Sequence, residues 1–226
     1  MRAFLVYAYP IPYCKPQAIQ RCASPGMGET LRYLAANRRF RRGVMAQFLY
    51  VGLQVVVWSF TIRLALSLGA ANERHASNFM IYSFIGFFIG KFIANCLMTR
   101  YNVQKVLIAY SAIGVAMLVP DFSAVYAAVA VSALFGPCWV TIYTGTIKTV
   151  ENWYTEVAGA VIVMSIGGAA IVPALQGYVS DYLGSLQRSF GVSLLCFAFV
   201  GYYFWGELRH QGSRRTALSA AAQSKF

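Results

Sequence analysis

The sequence predicts an all-α integral membrane protein with six transmembrane helices, and three observations carry the prediction. The chain is 58% hydrophobic and only 12% charged, whereas soluble domains run at about a quarter charged, so lipid must be the solvent for most of it. Its apolar stretches are long enough to cross a hydrocarbon layer of about 30 Å, which takes roughly 20 helical residues. The basic residues gather in alternate breaks between those stretches and do not form one patch.

Residues 1–42 read as a cytoplasmic loop or tail, with Pro10, Pro12, Pro16 and Pro25 followed by the basic run Arg38, Arg39, Arg41 and Arg42. The opening MRAFLVYAYP is basic then apolar, but its apolar stretch is short and broken by proline, unlike that of a signal peptide. Spans are expected at 43–70, 76–98, 103–120, 122–147, 156–182 and 188–206. Asn72, Glu73, Arg74 and His75 close the first, and Arg100, Tyr101 and Asn102 the second. Pro120 and Asp121 close the third; Lys148, Glu151 and Asn152 the fourth; Gly184, Ser185, Gln187 and Arg188 the fifth. Residues 43–206 thus form the transmembrane bundle. The polar, Ala/Ser-rich and basic segment 207–226 reads as a disordered cytoplasmic tail.

Orientation follows from the basic residues. One side collects Arg32, Arg38, Arg39, Arg41, Arg42, Arg100, Lys105, Lys148, Arg209, Arg214, Arg215 and Lys225, and the other only Arg74 and Arg188. The positive-inside rule then places both termini in the cytoplasm, as an even number of spans requires, in the plasma membrane or, for a bacterial protein, the inner membrane. Trp153, Tyr154, Tyr202, Tyr203 and Trp205 fall at the same boundaries, where amphipathic rings favour the interface. The net charge of +12 is therefore a topology signal, and nucleic acid is not an expected partner.

Polar residues inside the spans mark where chemistry would sit. Gln47, Tyr50, Gln54, Trp58 and Thr61 follow three- and four-residue steps along the first span and share one face. Such a face looks into a protein interior or a water-filled cavity, or else it makes interhelical hydrogen bonds. Asn78 and Tyr82 are one turn apart in the second span, and Trp139 and Tyr143 repeat that spacing in the fourth, after the Gly136 and Pro137 break. Aromatic faces suit the C–H face of a sugar, and amide and hydroxyl groups match its hydroxyls as donors and acceptors. Gln54, Trp58, Asn78, Tyr82, Trp139 and Tyr143 are thus the candidate substrate-binding residues. Taken singly, each aromatic is more often packing than ligand contact; the reading rests on three helices each offering such a pair.

Arg63 and Lys91 lie inside spans but within snorkelling reach of their ends. The acids Glu29, Glu73, Asp121, Glu151, Glu156, Asp181 and Glu207 all lie at or beyond span ends, so the sequence offers no intramembrane carboxylate to carry a proton. The cysteines at 14, 22, 96, 138 and 196 form no CxxC pair, and neither a metal, a cofactor nor a disulfide is expected. No Ser/His, paired-carboxylate or His/Cys cluster occurs at helical spacing, so an enzyme is not expected. In the fifth span Gly159, Gly167, Gly168 and Gly177, with Pro173 interrupting, suit close packing and also a helix that rocks.

Three strings carry a resemblance: AQFLYVGLQVVVWSFTIR at 46–63, FFIGKF at 87–92 followed by Arg100 and Lys105, and VIVMSIGGAAIVPALQGYVSD at 161–181. In order and spacing they resemble the C-terminal six-helix half of fucose permeases, sugar carriers of the major facilitator superfamily, from about residue 31 to 206. The resemblance implies a fold of two six-helix halves rocking about a central site, and proton-coupled uptake of L-fucose or a related monosaccharide in a membrane-lipid setting. It also implies that a missing N-terminal six-helix half is the partner and supplies the proton-binding acids. Gln54, Trp58 and Asn78 meet the family's site positions, and Arg100 and Lys105 its basic loop. Gly136 stands where the family has an aromatic residue, and that segment is a few residues longer, so the resemblance does not identify the sugar. The alternative reading is an inactive truncated membrane protein or a partner-binding membrane module.

Overall fold

In lipid, backbone N–H and C=O groups have only each other as partners, and the chain answers with helices throughout the described residues. The computed structural model describes residues 26–67, 73–117, 129–136 and 138–223. Cys14, Cys22, Asn72, Asp121, Pro137, Lys225, the four N-terminal prolines and Pro120 lie outside them, as do the MRAFLVYAYP opening and the start of the fourth span.

The helices are α1 (Met27–Ala36), α2 (Arg38–Ser67), α3 (Glu73–Arg100), α4 (Val103–Met117), α5 (Cys138–Ile147), α6 (Thr155–Met164), α7 (Gly168–Leu183), α8 (Leu186–Ser189) and α9 (Gly191–Gln223). Short 3-10 turns at Ala133–Phe135, Asn152–Tyr154 and Ser165–Gly167 precede α5, α6 and α7. Arg38–Arg63, Ser77–Arg100, Val129–Ile147, Asn152–Leu183 and Gly191–Gly212 are long and apolar enough to cross a membrane, and Val103–Ala116 is a shorter apolar helix in third position. Six apolar segments therefore stand in the expected order.

The first span is the axle of the bundle. α2 packs against α3, α5, α7 and α9, whereas α4 packs chiefly on α9. Of the most apolar stretch of α2, 56% is buried, against 17% for α3, which leaves most of α3 at the surface. Leu53, Val56 and Val57 from α2 meet Leu107, Phe135, Ile142, Val172, Phe197 and Phe204 in one core. Glycine sets two of the contacts. A Cβ at Gly168 would run into the Phe48 carbonyl, and one at Gly52 into Val172, so α2 and α7 approach backbone to backbone. A Cβ at Gly90 would strike the Ala133 backbone and one at Gly136 the Lys91 backbone, which seats α3 against the broken fourth span in the same way.

A second cluster ties α1 to the bundle. Leu34 and Phe40 pack on Ala158 and Ile162, Tyr33 stacks on Tyr154 with ring centroids 4.4 Å apart, and Asn37 Nδ2 donates to the Thr149 carbonyl at 3.0 Å.

Three local expectations are corrected. Residues 27–36 and 38–42 are helical where a loop was expected. Asn37 explains the second start, because its Oδ1 accepts from the Arg39 and Phe40 backbone N–H groups at 3.1 and 3.2 Å, an N-cap that lets the arginine run open α2. With 30 residues, α2 is about 45 Å long and exceeds the hydrocarbon thickness, so its arginine turn can stand outside. The tail read as disordered continues α9 to Gln223, because Ala, Leu, Arg and Gln are strong helix formers even where the segment is polar. In the fifth span the helix runs through Pro173, and the interruption is the 3-10 turn at Ser165–Gly167.

Candidate functional site

The polar face of α2 divides along its length. Gln47, Tyr50 and Thr61 are buried, while Gln54 and Trp58 are half-buried. Tyr50 donates its hydroxyl to the Phe135 carbonyl in the 3-10 turn of the fourth span, and Thr61 returns its hydroxyl to the Val57 carbonyl in its own helix. These two residues answer the interhelical and intrahelical needs of buried polar groups. Gln47 keeps a buried Oε1 with no partner among the described residues.

Trp58 sits in an aromatic surround built by three segments. Its ring lies 4.9 Å from Phe84 and 5.7 Å from Phe87 on α3, and 6.4 Å from Phe135. The Phe135 ring also meets Tyr50 edge-on at 6.0 Å. Tyr50, Gln54 and Trp58 are successive turns of one helix face, and both ends of that row touch Phe135. Gln54 stands between Tyr50 and Trp58 in that row. The Trp58 Nε1–H is buried and has no acceptor among the described residues. An indole N–H usually finds a partner when buried, which sets this donor apart within the aromatic surround.

The remaining candidates lie on other surfaces. Asn78 and Tyr82 are exposed on α3, with Tyr82 edge-on to Phe79 at 6.4 Å. On α5, Trp139 and Tyr143 stack at 5.7 Å with planes 9° apart; Trp139 is exposed, and Tyr143 packs against the second cluster. The structure thus brings Gln54 and Trp58 to one row beside Phe135 and pairs Trp139 with Tyr143. It shows no ring contact between the Trp58 group and either the Trp139 pair or Tyr82 among the described residues. Phe84 and Phe135 are not among the candidates read from the sequence, and Phe87 enters there only as the first residue of FFIGKF; the three-residue step from Phe84 to Phe87 is the one sequence signal that puts those two rings on one face.

The charged groups inside spans are at the surface. Arg63 is exposed and lies over the Phe60 ring at 5.8 Å, and Lys91 is exposed beside the Gly136 crossing. Glu29, Glu151, Glu156 and Asp181 are exposed, and Glu207 pairs with Arg39 at 3.1 Å. No group of three or more His, Cys, Asp or Glu suited to a metal occurs among the described residues.

Comparison with known proteins decides what bundle this is. The chain is 34% identical over 177 residues to the L-fucose-proton symporter of Escherichia coli (strain K12), covering 76% of this chain and 40% of that protein. The crystal structure of a major facilitator superfamily transporter, FucP, in the outward conformation matches with a TM-score of 0.73 and 31% identity, over 79% of this chain and 44% of that one. The chain is homologous to the fucose permeases. The homology covers the C-terminal half, so the six helices are half of a major facilitator superfamily fold. The L-fucose-proton symporter of Haemophilus influenzae is 29% identical over 181 residues, 75% of this chain and 42% of that protein. The glucose/galactose transporter of Brucella abortus is 23% identical over 209 residues, 89% of this chain and 50% of the relative. The chain therefore spans about half the length of the curated relatives it matches. No protein-family model matches it. The relatives are transporters, not enzymes.

Proposed function

We propose that this bundle is the C-terminal half of a secondary sugar transporter that takes up L-fucose or a related monosaccharide with protons by alternating access. One observation carries the reading. Trp58 keeps a buried indole N–H with no partner among the described residues, one turn from the half-buried Gln54, in a bundle that matches a fucose:proton symporter with a TM-score of 0.73. A ring face and an amide side by side are the groups a monosaccharide uses, one for its C–H face and one for its hydroxyls.

Asn78, Tyr82, Trp139 and Tyr143 complete the site when a second six-helix bundle faces this one. The exposure of Asn78 and Tyr82 on α3 and of Trp139 on α5 fits surfaces that wait for a partner bundle, with the half-buried Tyr143 stacked behind Trp139. Alternating access needs two bundles rocking about a site between them. The described acids stand at helix ends or pair with Arg39, so the partner bundle holds the group that takes up the proton. Residues 43–206 are the membrane-embedded part, and both termini face the cytoplasm.

Sugar binding tests the reading. The chain is assembled with an N-terminal six-helix half, and labelled L-fucose is titrated against unlabelled L-fucose, glucose and galactose. Saturable binding displaced by one of these, and weakened in Gln54→Leu, supports the assignment. Binding of none of them contradicts it.

A further inference from the structure

The first turns of α2 and the last membrane turns of α9 enclose a pocket that the sugar site does not use. Its polar floor is Arg39, Arg42, Glu207 and His210, and Phe199 and Tyr202 give it an apolar wall. One guanidinium nitrogen of Arg39 reaches both Glu207 carboxylate oxygens, at 3.2 and 3.1 Å. That pair cancels its own charge and holds Arg39 in place. Arg42 is left as the cation of the pocket with no carboxylate partner among the described residues, and His210 is a further N–H donor. The Arg39 Nε–H is buried and has no acceptor among the described residues. The pocket is therefore rich in donors, and its one carboxylate is already taken.

Its depth in the membrane is marked independently. Tyr202 and Trp205 are exposed on the same stretch of α9, 53% and 43% respectively, and the Arg209 guanidinium lies 3.7 Å above the Trp205 ring. Half-exposed Tyr and Trp rings beside arginine are the mark of the headgroup layer. A donor-rich pocket at that level, carrying one net positive charge and an apolar wall, matches an amphipathic monoanion.

The geometry points to a binding site for the headgroup of an anionic phospholipid, its phosphodiester on Arg42 and His210 and its glycerol and first acyl carbons along Phe199 and Tyr202. One negative charge balances Arg42, and basic pockets between transmembrane helices hold lipid headgroups by this chemistry. A free phosphate ion would share the charge contact but leave the apolar wall empty. The inference does not rest on the transport reading, since it needs only that the bundle lie in a membrane.

Native mass spectrometry of the detergent-purified full chain tests it, with dioctanoyl phosphatidylglycerol, dioctanoyl phosphatidylcholine and inorganic phosphate as probes. Phosphatidylglycerol should bind about ten-fold more tightly than phosphatidylcholine, whose phosphodiester is the same but whose choline cation cancels the charge that Arg42 would balance. Arg42→Gln should erase that preference, Arg42→Lys should keep most of it, and Tyr202→Ser should weaken phosphatidylglycerol binding. Equal binding of the two lipids to the unmodified chain overturns the proposal, whatever the variants do. So does an undiminished preference in Arg42→Gln. Inorganic phosphate binding as tightly as phosphatidylglycerol, with the same dependence on Arg42, would assign the pocket to a free anion and overturn the lipid reading.

Discussion

Tyr50 on α2 donates its hydroxyl to the carbonyl of Phe135, at the point where the fourth span tightens into a 3-10 turn before α5. The bond crosses between two spans and gives a partner to a carbonyl in a segment where the α-helical ladder is interrupted. Tyr50→Phe keeps the ring and removes the donor. It should destabilise the bundle by about 1–3 kcal/mol, the cost of leaving a buried polar group unpaired. Thermal unfolding in detergent reads the loss, and an unchanged midpoint would show that the carbonyl finds another partner.

Gly168 and Gly177 make a matched pair on one helix. Gly168 faces the Phe48 backbone with no room for a Cβ, whereas a Cβ at Gly177 meets open space. Gly168→Ala should therefore cost about 1–3 kcal/mol through overpacking that side-chain motion cannot relieve. Gly177→Ala should be neutral or stabilise by up to roughly 1 kcal/mol, since alanine is the better helix residue. Parallel unfolding curves decide, and equal effects would mean that α2 and α7 do not approach as described.

Trp58 separates ligand binding from folding. Trp58→Phe retains an aromatic ring among Phe84, Phe87 and Phe135 but loses an N–H that has no partner among the described residues. Sugar affinity in the assembled carrier should fall by about 0.5–1.5 kcal/mol, the net worth of one hydrogen bond, with little change in thermal stability. Calorimetric titration against the unmodified protein checks both. A fall in stability with unchanged affinity would make Trp58 a packing residue.

Topology is open to direct labelling. With both termini cytoplasmic, Lys148→Cys should react with a membrane-impermeant maleimide only from inside and Arg188→Cys only from outside. The reverse pattern would invert the assignment.

What was legible in the sequence follows from the solvent. Lipid demands an uninterrupted apolar run for every span, so the breaks at Arg100 to Asn102 and at Lys148 to Asn152 are visible as chemistry and lie where the helices change over. Helix that continues beyond the lipid carries no such signature. The arginine turn of α2 and the end of α9 read as loop and tail because polar helix and polar coil share a composition. Pro173 looked like the interruption of the fifth span, yet the helix passes through it, and the 3-10 turn lies at Ser165–Gly167. The boundary rings divide too. Tyr202 and Trp205 are exposed as interface residues should be, but Tyr203 turns inward, its hydroxyl 3.4 Å from that of Thr146.

At the candidate site, periodicity placed Gln54 and Trp58 on one face because that relation is local to a helix. Which rings meet Trp58 depends on how α3 and the broken fourth span seat against each other, at contacts set by Gly90 and Gly136, and on how both lie beside α2. That crossing is tertiary, and no spacing within one span encodes it.

Sugar uptake into proteoliposomes tests the central claim most directly. Vesicles carry this chain alone or together with an N-terminal six-helix half, with and without an inward proton gradient. The account predicts gradient-dependent accumulation of labelled L-fucose or a related monosaccharide only when both halves are present, because one bundle supplies neither the second wall of the site nor a titrating acid inside the membrane. Gradient-driven accumulation by this chain alone would contradict it.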